Sequence, residues 1–427
     1  MATQVPYAAV PPGIGSASGG GLYQNVKAFG AVGDGVTDDS VAIQAAIDAA
    51  TSGTGGGVVF PSPGQYLCAG LVADITPPAG GGSGPWLDLY FVPGASLVQK
   101  AGSTGTLLHI EGGGFGNAGL NSFTMENAIL VGNGPDGSWG LVLSGCQHAT
   151  VTNLTASNFT NPAGISLAGA PVLIDSNCAS CVLDNPILFN NQNGLYLSGN
   201  ANTVKNGWII NNALYGVEVQ GENNAILETI VQGSAHTGVS LDNGTTHAIL
   251  TGLYLEANGV YDIFDNSDFN VIDSCWFSVY NTTTEIWKAG GSLLTVRDPY
   301  FQNPATLQIH APAVISGANS TLLLANITNT VGGALRLYNN LGINPVGSVA
   351  VAIPASGTVV AAVPYDQWLY VTASTSTIAV AVTDAGGTSQ TVATIPANAY
   401  APVFVPAGSS WTLTYATAPT ALTAQGL

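Results

Sequence analysis

The sequence predicts a parallel β-helix, and a repeat of about 22 residues is the main observation behind that prediction. Between residues 194 and 262, glycine-led segments recur at a nearly constant step, and they begin at Gly194, Gly216, Gly238 and Gly259. A second series, out of phase with the first, recurs with the same step and comprises Ile187, Ile209, Val231, Leu253 and Cys275. Two series with one period indicate coils of at least two short strands, which must stack because one coil cannot bury its own apolar face. The L-x-x-L-x-L-x-x-N frame of leucine-rich repeats is missing.

The composition is typical of β-strands and limits the kinds of partner that the chain can bind. Charged residues make up 7% of the chain, and glycine accounts for 55 of 427 residues. Apolar residues alternate with Ser, Thr, Asn and Gly, and no apolar stretch approaches the ~20 residues that a membrane-spanning helix needs. The net charge is −18, with only six Lys and Arg residues. Because phosphate binding needs clusters of Lys and Arg, we expect no nucleic acid as a partner. The lack of a long apolar stretch argues against a membrane as well. A neutral glycan is favoured over an anionic polymer, unless a cation such as Ca²⁺ bridges the two.

The cysteines and the N-terminus carry little functional signal. The pair Cys178-x-x-Cys181 has no second pair at zinc-site spacing, so we expect buried free thiols rather than a metal framework. Residues 1–10 have neither the basic n-region nor the apolar h-region of a secretory signal. The sequence thus predicts a protein that acts inside the cell, leaves it by lysis or is made without its leader.

The N-terminal region predicts an arm followed by a helix. Residues 1–21 are rich in Pro, Gly, Ser and Ala, which is typical of a flexible arm. Thr37 or Asp38 can cap a helix that runs to about Ala50 and has a broad apolar face. Val58–Phe60 then predicts a strand.

A motif in this region resembles a known family. The block from Asn25 to Asp39, with Ala42–Ile47 and Gly57–Pro61 after it, is similar to the opening of pectate-lyase-superfamily β-helix proteins. That superfamily includes phage tailspikes and many glycan-active enzymes. The resemblance implies a right-handed parallel β-helix whose open N-terminal end is capped by the helix, since an uncapped end exposes apolar rungs and strand edges. It marks fold and not activity.

The pattern changes near Ala318, and we predict three regions: an arm at 1–21, a β-helix with its cap at 22–317, and a C-terminal β-sandwich at 318–427. The sandwich, for trimerisation or glycan binding, is expected from short alternating strands between Leu335 and Thr417. The tail resembles a domain at the end of minor tail and receptor-binding proteins of phages that infect actinobacteria. That resemblance rests on Asn344-Pro345, on the strands around Tyr370 to Val382, and on the segment that ends Ala418-Pro419-Thr420.

Acidic residues of successive coils are the predicted catalytic groups, because equivalent positions stack ~4.8 Å apart and can line one groove. They are Glu256, Asp242 and Glu218. A carboxyl pair ~5–5.5 Å apart suits retaining hydrolysis of a glycoside, and a pair ~6.5–9.5 Å apart suits inversion. Glu256 ranks first, since Tyr254-Leu255-Glu256-Ala257-Asn258 resembles an aromatic-x-Glu-x-Asn run of tailspike β-helices. In that group the Glu is sometimes catalytic and often structural, so a Glu256 that binds turn amides beside Asn258 is the alternative.

Aromatic rings are the predicted glycan contacts. Trp208, Tyr215 and Tyr254 are the foremost of them, and packing between coils or subunits is the alternative. The sequence predicts no cofactor, although Ca²⁺ could be held by three acids whose spacing of three differs from that of an EF-hand: Asp262, Asp265 and Asp268. His236-Thr237-Gly238 lacks the companion motifs of polygalacturonases, so that assignment is rejected.

Together these observations predict a phage tailspike or tail receptor-binding protein that binds host cell-surface polysaccharide and, in the stronger version, depolymerises it as a glycoside hydrolase or polysaccharide lyase. The alternatives are a non-catalytic tail fibre or adhesin, and a free secreted lyase or hydrolase. Resemblance to tailspikes implies a homotrimer, phage tail proteins as further partners, and a place on the virion with action outside the cell.

Overall fold

The structure, a computed structural model, describes residues 23–78, 84–114, 122–134, 139–160, 169–242, 244–278, 282–302, 304–319, 322, 326–330, 335–338, 340, 349–363 and 366–426. The predicted arm at 1–21 and the Asn344-Pro345 motif lie outside the described residues. The chain forms two compact units, Met1–Ser240 and Leu241–Leu427. No helix in the described part is long and apolar enough to cross a membrane.

The predicted helix lies near the start of the first unit. A short 3-10 helix at Val26–Phe29 precedes α1 at Ser40–Thr51, which buries Ile43, Ala46, Ile47 and Ala50. The predicted helix is confirmed, but it begins after Asp39 and not after Thr37 or Asp38, because both of those residues belong to a preceding strand, Asp34–Asp38. Asp39 accepts hydrogen bonds from the N–H groups of Val32 and Gly33 at 2.7 and 3.0 Å.

The other elements of the first unit are short strands. In chain order they are β1 Tyr23–Asn25, β2 Asp34–Asp38, β3 Gly55–Phe60, β4 Gly64–Cys68, β5 Leu71–Asp74, β6 Trp86–Phe91, β7 Ala95–Gln99, β8 Leu108–Glu111, β9 Phe123–Glu126, β10 Ile129–Gly134, β11 Leu141–Ser144, β12 Thr150–Thr152, β13 Thr155–Phe159, β14 Val172–Ile174, β15 Val182–Asp184, β16 Ile187–Phe189, β17 Leu195–Leu197, β18 Thr203–Lys205, β19 Trp208–Ile210, β20 Tyr215–Val219, β21 Ala225–Leu227 and β22 Ile230–Gln232. β23, Thr237–Leu241, lies at the boundary of the units.

These strands form three parallel sheets, because every third strand returns to the same sheet. Their orders are β1-β3-β6-β9-β12-β15-β18-β21, β2-β4-β7-β10-β13-β16-β19-β22 and β5-β8-β11-β14-β17-β20. The parallel β-helix is thus confirmed, with three strands in each coil where the repeats indicated at least two. The second predicted series is out of step at Ile187, since Leu188 pairs with Ile209 and Ile187 pairs with Trp208. That coil is shorter than the regular step by a single residue.

Asparagines shape the turns of these coils. Asn153, Asn185 and Asn206 each have positive φ, a conformation that Asn tolerates better than most side chains. They also bond from coil to coil: Asn185 Nδ2 donates to Asn153 Oδ1 at 2.8 Å, and Asn206 Nδ2 donates to Asp184 Oδ1 at 2.9 Å. The Asn-rich turns of the sequence therefore mark repeated left-handed positions.

The second unit comprises parallel coils followed by antiparallel sheets. The coil strands are β24 Ile249–Thr251, β25 Tyr254–Glu256, β26 Tyr261–Asp265, β27 Val271–Asp273, β28 Trp276–Ser278, β29 Thr284–Lys288, β30 Leu294–Arg297, β31 Tyr300–Phe301, β32 Leu307–Ile309, β33 Ala313–Ser316, β34 Ile327–Asn329 and β35 Leu335–Tyr338. Their orders are β24-β27-β30-β33-β35, β25-β28-β31 and β26-β29-β32-β34. Because β34 and β35 pair in parallel with β32 and β33, the coils run past residue 317, where the sequence placed their end.

A buried ion pair lies among these coils. Lys288 and Asp265 are both 0% exposed, and Lys288 Nζ lies 3.0 Å from Asp265 Oδ2. The other carboxylate oxygen accepts hydrogen bonds from Ser267 and Asn270. Burying a charge is costly unless it is paired and hydrogen-bonded, and this pair meets both conditions.

The C-terminal strands form the predicted β-sandwich. They are β36 Val349–Ala350, β37 Val359–Val360, β38 Gln367–Thr372, β39 Ile378–Thr383, β40 Ser389–Ile395, β41 Tyr400–Val405, β42 Ser410–Tyr415 and β43 Ala421–Gly426. The two antiparallel sheets have the orders β36-β43-β38-β41 and β37-β42-β39-β40. Leu369, Val380, Val403 and Trp411 are among the buried residues of the core that the two sheets share.

Candidate functional site

A row of three aromatic rings, two of them exposed, crosses three neighbouring strands of the second unit. Tyr254 in β25 pairs with Trp276 in β28, which pairs with Tyr300 in β31. The ring centroids are 6.2 Å and 4.3 Å apart along this row. Trp276 is 42% exposed and Tyr300 is 43% exposed, so the row presents apolar rings to solvent.

A row of polar groups runs beside the aromatic row. Glu256 pairs with Ser278, and Gln302 follows β31 in the next coil. Ser278 Oγ donates to Gln302 Oε1 at 2.8 Å and lies 3.5 Å from Glu256 Oε1. Residues two apart on a strand point to the same side, so Glu256 shares a face with Tyr254. We call these two rows together the β25–β28–β31 face.

Two buried carboxyl groups lie in the coils next to Glu256. Asp262 in β26 and Glu285 in β29 are 0% and 1% exposed, and they lie on neighbouring strands between the pairs Tyr261–Thr284 and Ile263–Ile286. Asp262 Oδ1 accepts hydrogen bonds from Asn258 Nδ2 at 2.8 Å and from Thr282 Oγ1 at 3.2 Å; Glu285 Oε2 accepts one from the N–H of Thr306. Asp262 Oδ2 is buried and has no hydrogen-bond partner among the described residues.

Burial controls the protonation of these two acids. The pKa of Asp262 is raised to about 8, chiefly by burial; the hydrogen bonds from Asn258 and Thr282 oppose this rise, and the negative charges of Glu285 and Glu256 contribute to it. Burial likewise raises the pKa of Glu285 to about 7. Asp262 is therefore mostly neutral at pH 7, because removing its proton would place a charge where water cannot solvate it.

The predicted catalytic residues belong to both units. Glu218 lies in β20 of the first unit, is 5% exposed, pairs with Tyr196 and accepts a 3.4 Å hydrogen bond from Gln220 Nε2. Asp242 directly follows β23 in the second unit, and its carbonyl accepts the N–H of Thr245 at 2.9 Å. Glu256, also in the second unit, contributes to the charge around Asp262. The grouping of Glu218, Asp242 and Glu256 in one groove stays a prediction.

The predicted glycan contacts have different surroundings. Trp208 is 53% exposed in β19 and stands in register with Ile187 and Ile230. Tyr215 is half-buried with its ring edge-on to that of His236, 5.5 Å between centroids. Tyr254, by contrast, lies in the aromatic row beside Glu256, so two of the residues named from sequence share the β25–β28–β31 face.

Sequence reasoning missed Glu285. It also missed that Trp276 and Tyr300 form a row of rings with Tyr254. Glu285 follows Asp262 at slightly more than the regular step, so extending the glycine-led series by one coil with a single insertion would have found it.

The acids considered for Ca²⁺ have other partners: Asp265 is bound to Lys288, and Asp268 Oδ1 accepts the N–H of Ser292 at 2.6 Å. In the described part of the chain no group of three or more His, Cys, Asp or Glu is placed to hold a metal ion.

Comparison with known sequences covers a small part of the chain. The family model described as rhamnogalacturonase A/epimerase, pectate lyase-like, matches residues 23–76. The chain is 41% identical over 116 residues to mannuronan C5-epimerase AlgE6 of Azotobacter vinelandii, and that match spans 26% of this chain and 12% of the epimerase. The chain thus covers a minor part of this relative.

Solved structures match over most of the chain. The A-module of mannuronan C-5 epimerase AlgE4 from Azotobacter vinelandii has a TM-score of 0.59 at 17% identity, over 75% of this chain and 95% of the module. The Dettilon tailspike protein has 0.54 at 12% identity, over 95% and 94%. The surface adhesin PfbA of Streptococcus pneumoniae has 0.53 at 16% identity, over 79% and 97%. At these identities the likeness concerns fold, and it confirms the resemblance to the pectate-lyase-type β-helix of tailspikes.

Proposed function

We propose that this chain is a tail protein of the phage tailspike type that binds a host cell-surface polysaccharide on the β25–β28–β31 face. The observation that carries the proposal is the row of the half-buried Tyr254 and the exposed Trp276 and Tyr300 beside a row of carboxylate, hydroxyl and amide groups. A sugar presents C–H groups on its faces and hydroxyls at its rim, so aromatic rings flanked by hydrogen-bonding groups suit it. Coils repeat this pairing every ~4.8 Å, which suits a polymer.

The charge of the chain limits the kind of polysaccharide. With a net charge of −18, the protein repels a polyanion, and the proposed face itself carries Glu256 and no Lys or Arg. A neutral polysaccharide is therefore the preferred ligand. An anionic polymer would require a bridging cation.

Binding is tested with the purified chain, by affinity electrophoresis against neutral bacterial surface polysaccharides and against mannuronan as an anionic comparison. Trp276→Ala should weaken binding about tenfold or more, which corresponds to about 1.4 kcal/mol. Phe269→Ala is the matched control, because Phe269 is 51% exposed in the same unit but lies outside the face. Equal losses in the two variants would count against this face.

We also propose that Glu256 acts on the bound glycan as an acid or base, with Asp242 and Glu218 as the predicted partners. Glu256 is half-buried and can reach a ligand. Asp262 is neutral at pH 7, so it adds no negative charge beside Glu256, and it acts only through Glu256. General acid–base catalysis typically contributes ~10²–10⁴-fold to a rate, so Glu256→Gln should remove most turnover. Glu222→Gln, which changes an exposed glutamate elsewhere, is the control.

Turnover is followed as new reducing ends and as absorbance near ~235 nm, where unsaturated uronates absorb after β-elimination. Reducing ends without absorbance would identify a hydrolase, and both together a lyase. The second candidate function, a non-catalytic adhesin, is favoured by the burial of Asp262 and Glu285, which a glycan cannot touch. Binding without new ends on any polysaccharide would select it.

Assembly as a homotrimer on a virion, joined to other tail proteins, is proposed from the resemblance to tailspikes. The β-sandwich of β36–β43 is the proposed trimerisation or glycan-binding part. Sedimentation equilibrium of the purified chain tests the trimer, and a monomer at micromolar concentration would contradict it.

A further inference from the structure

We propose that the first unit carries a separate hydrolytic site, a triad of Ser144, His109 and Glu111 that cleaves acyl esters. His109 and Glu111 lie two residues apart on β8, so their side chains point to the same side of the strand. Ser144 ends the adjacent parallel strand β11 and pairs with Glu111, while Val142 pairs with His109. The nucleophile and the base are distant in sequence, and only the coil brings them together.

The distances within the triad match the roles of nucleophile, base and orienting acid. Ser144 Oγ lies 3.0 Å from His109 Nε2. On the other side of the ring, His109 Nδ1 lies 3.4 Å from Glu111 Oε1. A serine becomes a useful nucleophile when a histidine can take its proton and a carboxylate holds that histidine in place. The His109 side chain is 26% exposed, so a substrate can reach it.

Two members of the triad, Ser144 and Glu111, lie at a cleft, and His109 reaches it through its contact with Ser144. Ser144 and Glu111 line a depression of about 400 Å³ together with Thr76, Gly113, Asp175 and Asn177. These lining groups are small or polar, and no large apolar side chain is among them. Such a cleft suits a small acyl group, such as acetyl, on a polar carrier, and it disfavours a long fatty acyl chain.

Glycines hold the nucleophile in position. Gly145 follows Ser144 with a φ of 62°, and a Cβ there would collide with the backbone nitrogen of Gly114. The close approach allows two backbone bonds, from Gly112 N–H to the Ser144 carbonyl at 2.7 Å and from Gly114 N–H to the Gly145 carbonyl at 3.0 Å. The backbone of Ser144 is therefore fixed on both sides.

Asp175 also contacts the nucleophile. Its Oδ1 accepts the N–H groups of Gly145 and Asn177 at 3.2 and 2.9 Å, and its carboxyl interacts electrostatically with Ser144. Burial raises the pKa of Asp175 above its usual range. Glu111 and Asp175 both line the cleft beside Ser144, so a test must separate a role of Asp175 from the triad.

The reaction balances with water alone. Ser144 Oγ attacks the ester carbonyl while His109 Nε2 takes the hydroxyl proton. The bond from carbonyl carbon to alkoxy oxygen then breaks, and His109 returns the proton to the leaving alcohol. Water attacks the acyl-serine with His109 again as base, which releases the carboxylic acid and restores Ser144. Thr76 and Asn177 line the cleft, and we assign their neutral hydrogen-bond donors to the carbonyl oxygen.

The assignment of the alcohol as a sugar hydroxyl rests on the proposed function; the esterase chemistry does not. The test uses the full chain with p-nitrophenyl acetate and with an O-acetylated polysaccharide, and measures released nitrophenol and acetate. Treatment with an organophosphonate fluoride, followed by peptide mass spectrometry, reports which serine is nucleophilic. Ser144→Ala and His109→Ala should lower acetate release by about 10³-fold or more, with the label confined to Ser144. Ser52→Ala, at the exposed end of α1, is the matched control.

Three results would overturn the triad: no release from either ester by the parent chain, a label elsewhere than on Ser144, or activity that survives in Ser144→Ala. Activity lost in Asp175→Asn but kept in Ser144→Ala would assign the chemistry of the cleft to Asp175 instead. Circular dichroism of each variant separates misfolding from lost chemistry. Polysaccharide binding by the β25–β28–β31 face is measured on the same samples, so failure of the esterase and failure of the proposed function are told apart.

Discussion

Replacing Asp262 with Asn should stabilise the fold at pH 7 and above and leave it unchanged near pH 3. Asp262 is 0% exposed and its pKa is raised from 3.8 to about 8 by burial. Below pH 3.8 the group is protonated in both folded and unfolded chains. As the pH rises towards 8, the unfolded chain gains stability by ionising Asp262, while the folded chain keeps the proton.

The magnitude follows from the size of this shift. A pKa difference of one unit corresponds to about 1.36 kcal/mol, so the displacement from 3.8 to about 8 costs the folded state at most about 6 kcal/mol at pH 8. Local relaxation and water entry reduce this upper limit. Asn keeps an acceptor for Asn258 and Thr282 and cannot ionise, so Asp262→Asn removes the pH-dependent cost.

Urea unfolding of parent and variant at pH 4, 6 and 8 measures the effect. The difference in midpoint should be small at pH 4 and grow steadily to pH 8. Asp298→Asn, which changes an exposed carboxyl in the same unit, is the control. A difference that does not change with pH would refute the argument, because it would mean that Asp262 ionises equally in both states.

Three further predictions concern stability. Lys288→Met should lower the free energy of unfolding by about 3–5 kcal/mol because it leaves Asp265 buried and unpaired, and urea titration should show that Lys288→Met with Asp265→Leu recovers part of the loss. Gly145→Ala should cost at least about 1–2 kcal/mol, since its φ of 62° and the nearby nitrogen of Gly114 both oppose a Cβ; thermal unfolding would show no shift if that contact can relax. Trp411→Ala should lower the free energy of unfolding by about 3–5 kcal/mol, because it leaves a cavity in the β-sandwich core; an unchanged melting temperature in calorimetry would argue against that packing.

The coil architecture could be predicted because its signals are periodic. Stacked coils demand equivalent residues at equal steps, and the glycine-led series shows this directly: Leu195 pairs with Val217, as the repeat requires. The error at Ile187 has the same origin, since a slightly shorter coil shifts the phase without changing the composition. A fixed period cannot reveal a single-residue deletion in a turn.

The candidate sites were harder to predict because they depend on contacts between coils of irregular length. Glu256 and Tyr254 were found through a local motif, whereas Glu285 was missed because its coil is longer than the regular step. The approach of Ser144 to His109 follows a much longer coil, for which no repeat gave a signal. The protonation of Asp262 depends on its burial in β26, which sequence alone does not define.

The pairing between coils separates evolutionary changes in the loops from changes in the strand scaffold. Strand pairs are kept across coils of very different length: Val182 pairs with Thr203 across a short coil, and Leu108 pairs with Leu141 across a long one. All of the difference is absorbed by loops, because a slip within a strand would turn its apolar side chains outward. Recombination can therefore exchange a whole loop between related genes while the scaffold is inherited unchanged. Ligand preference and scaffold stability then evolve as nearly independent traits.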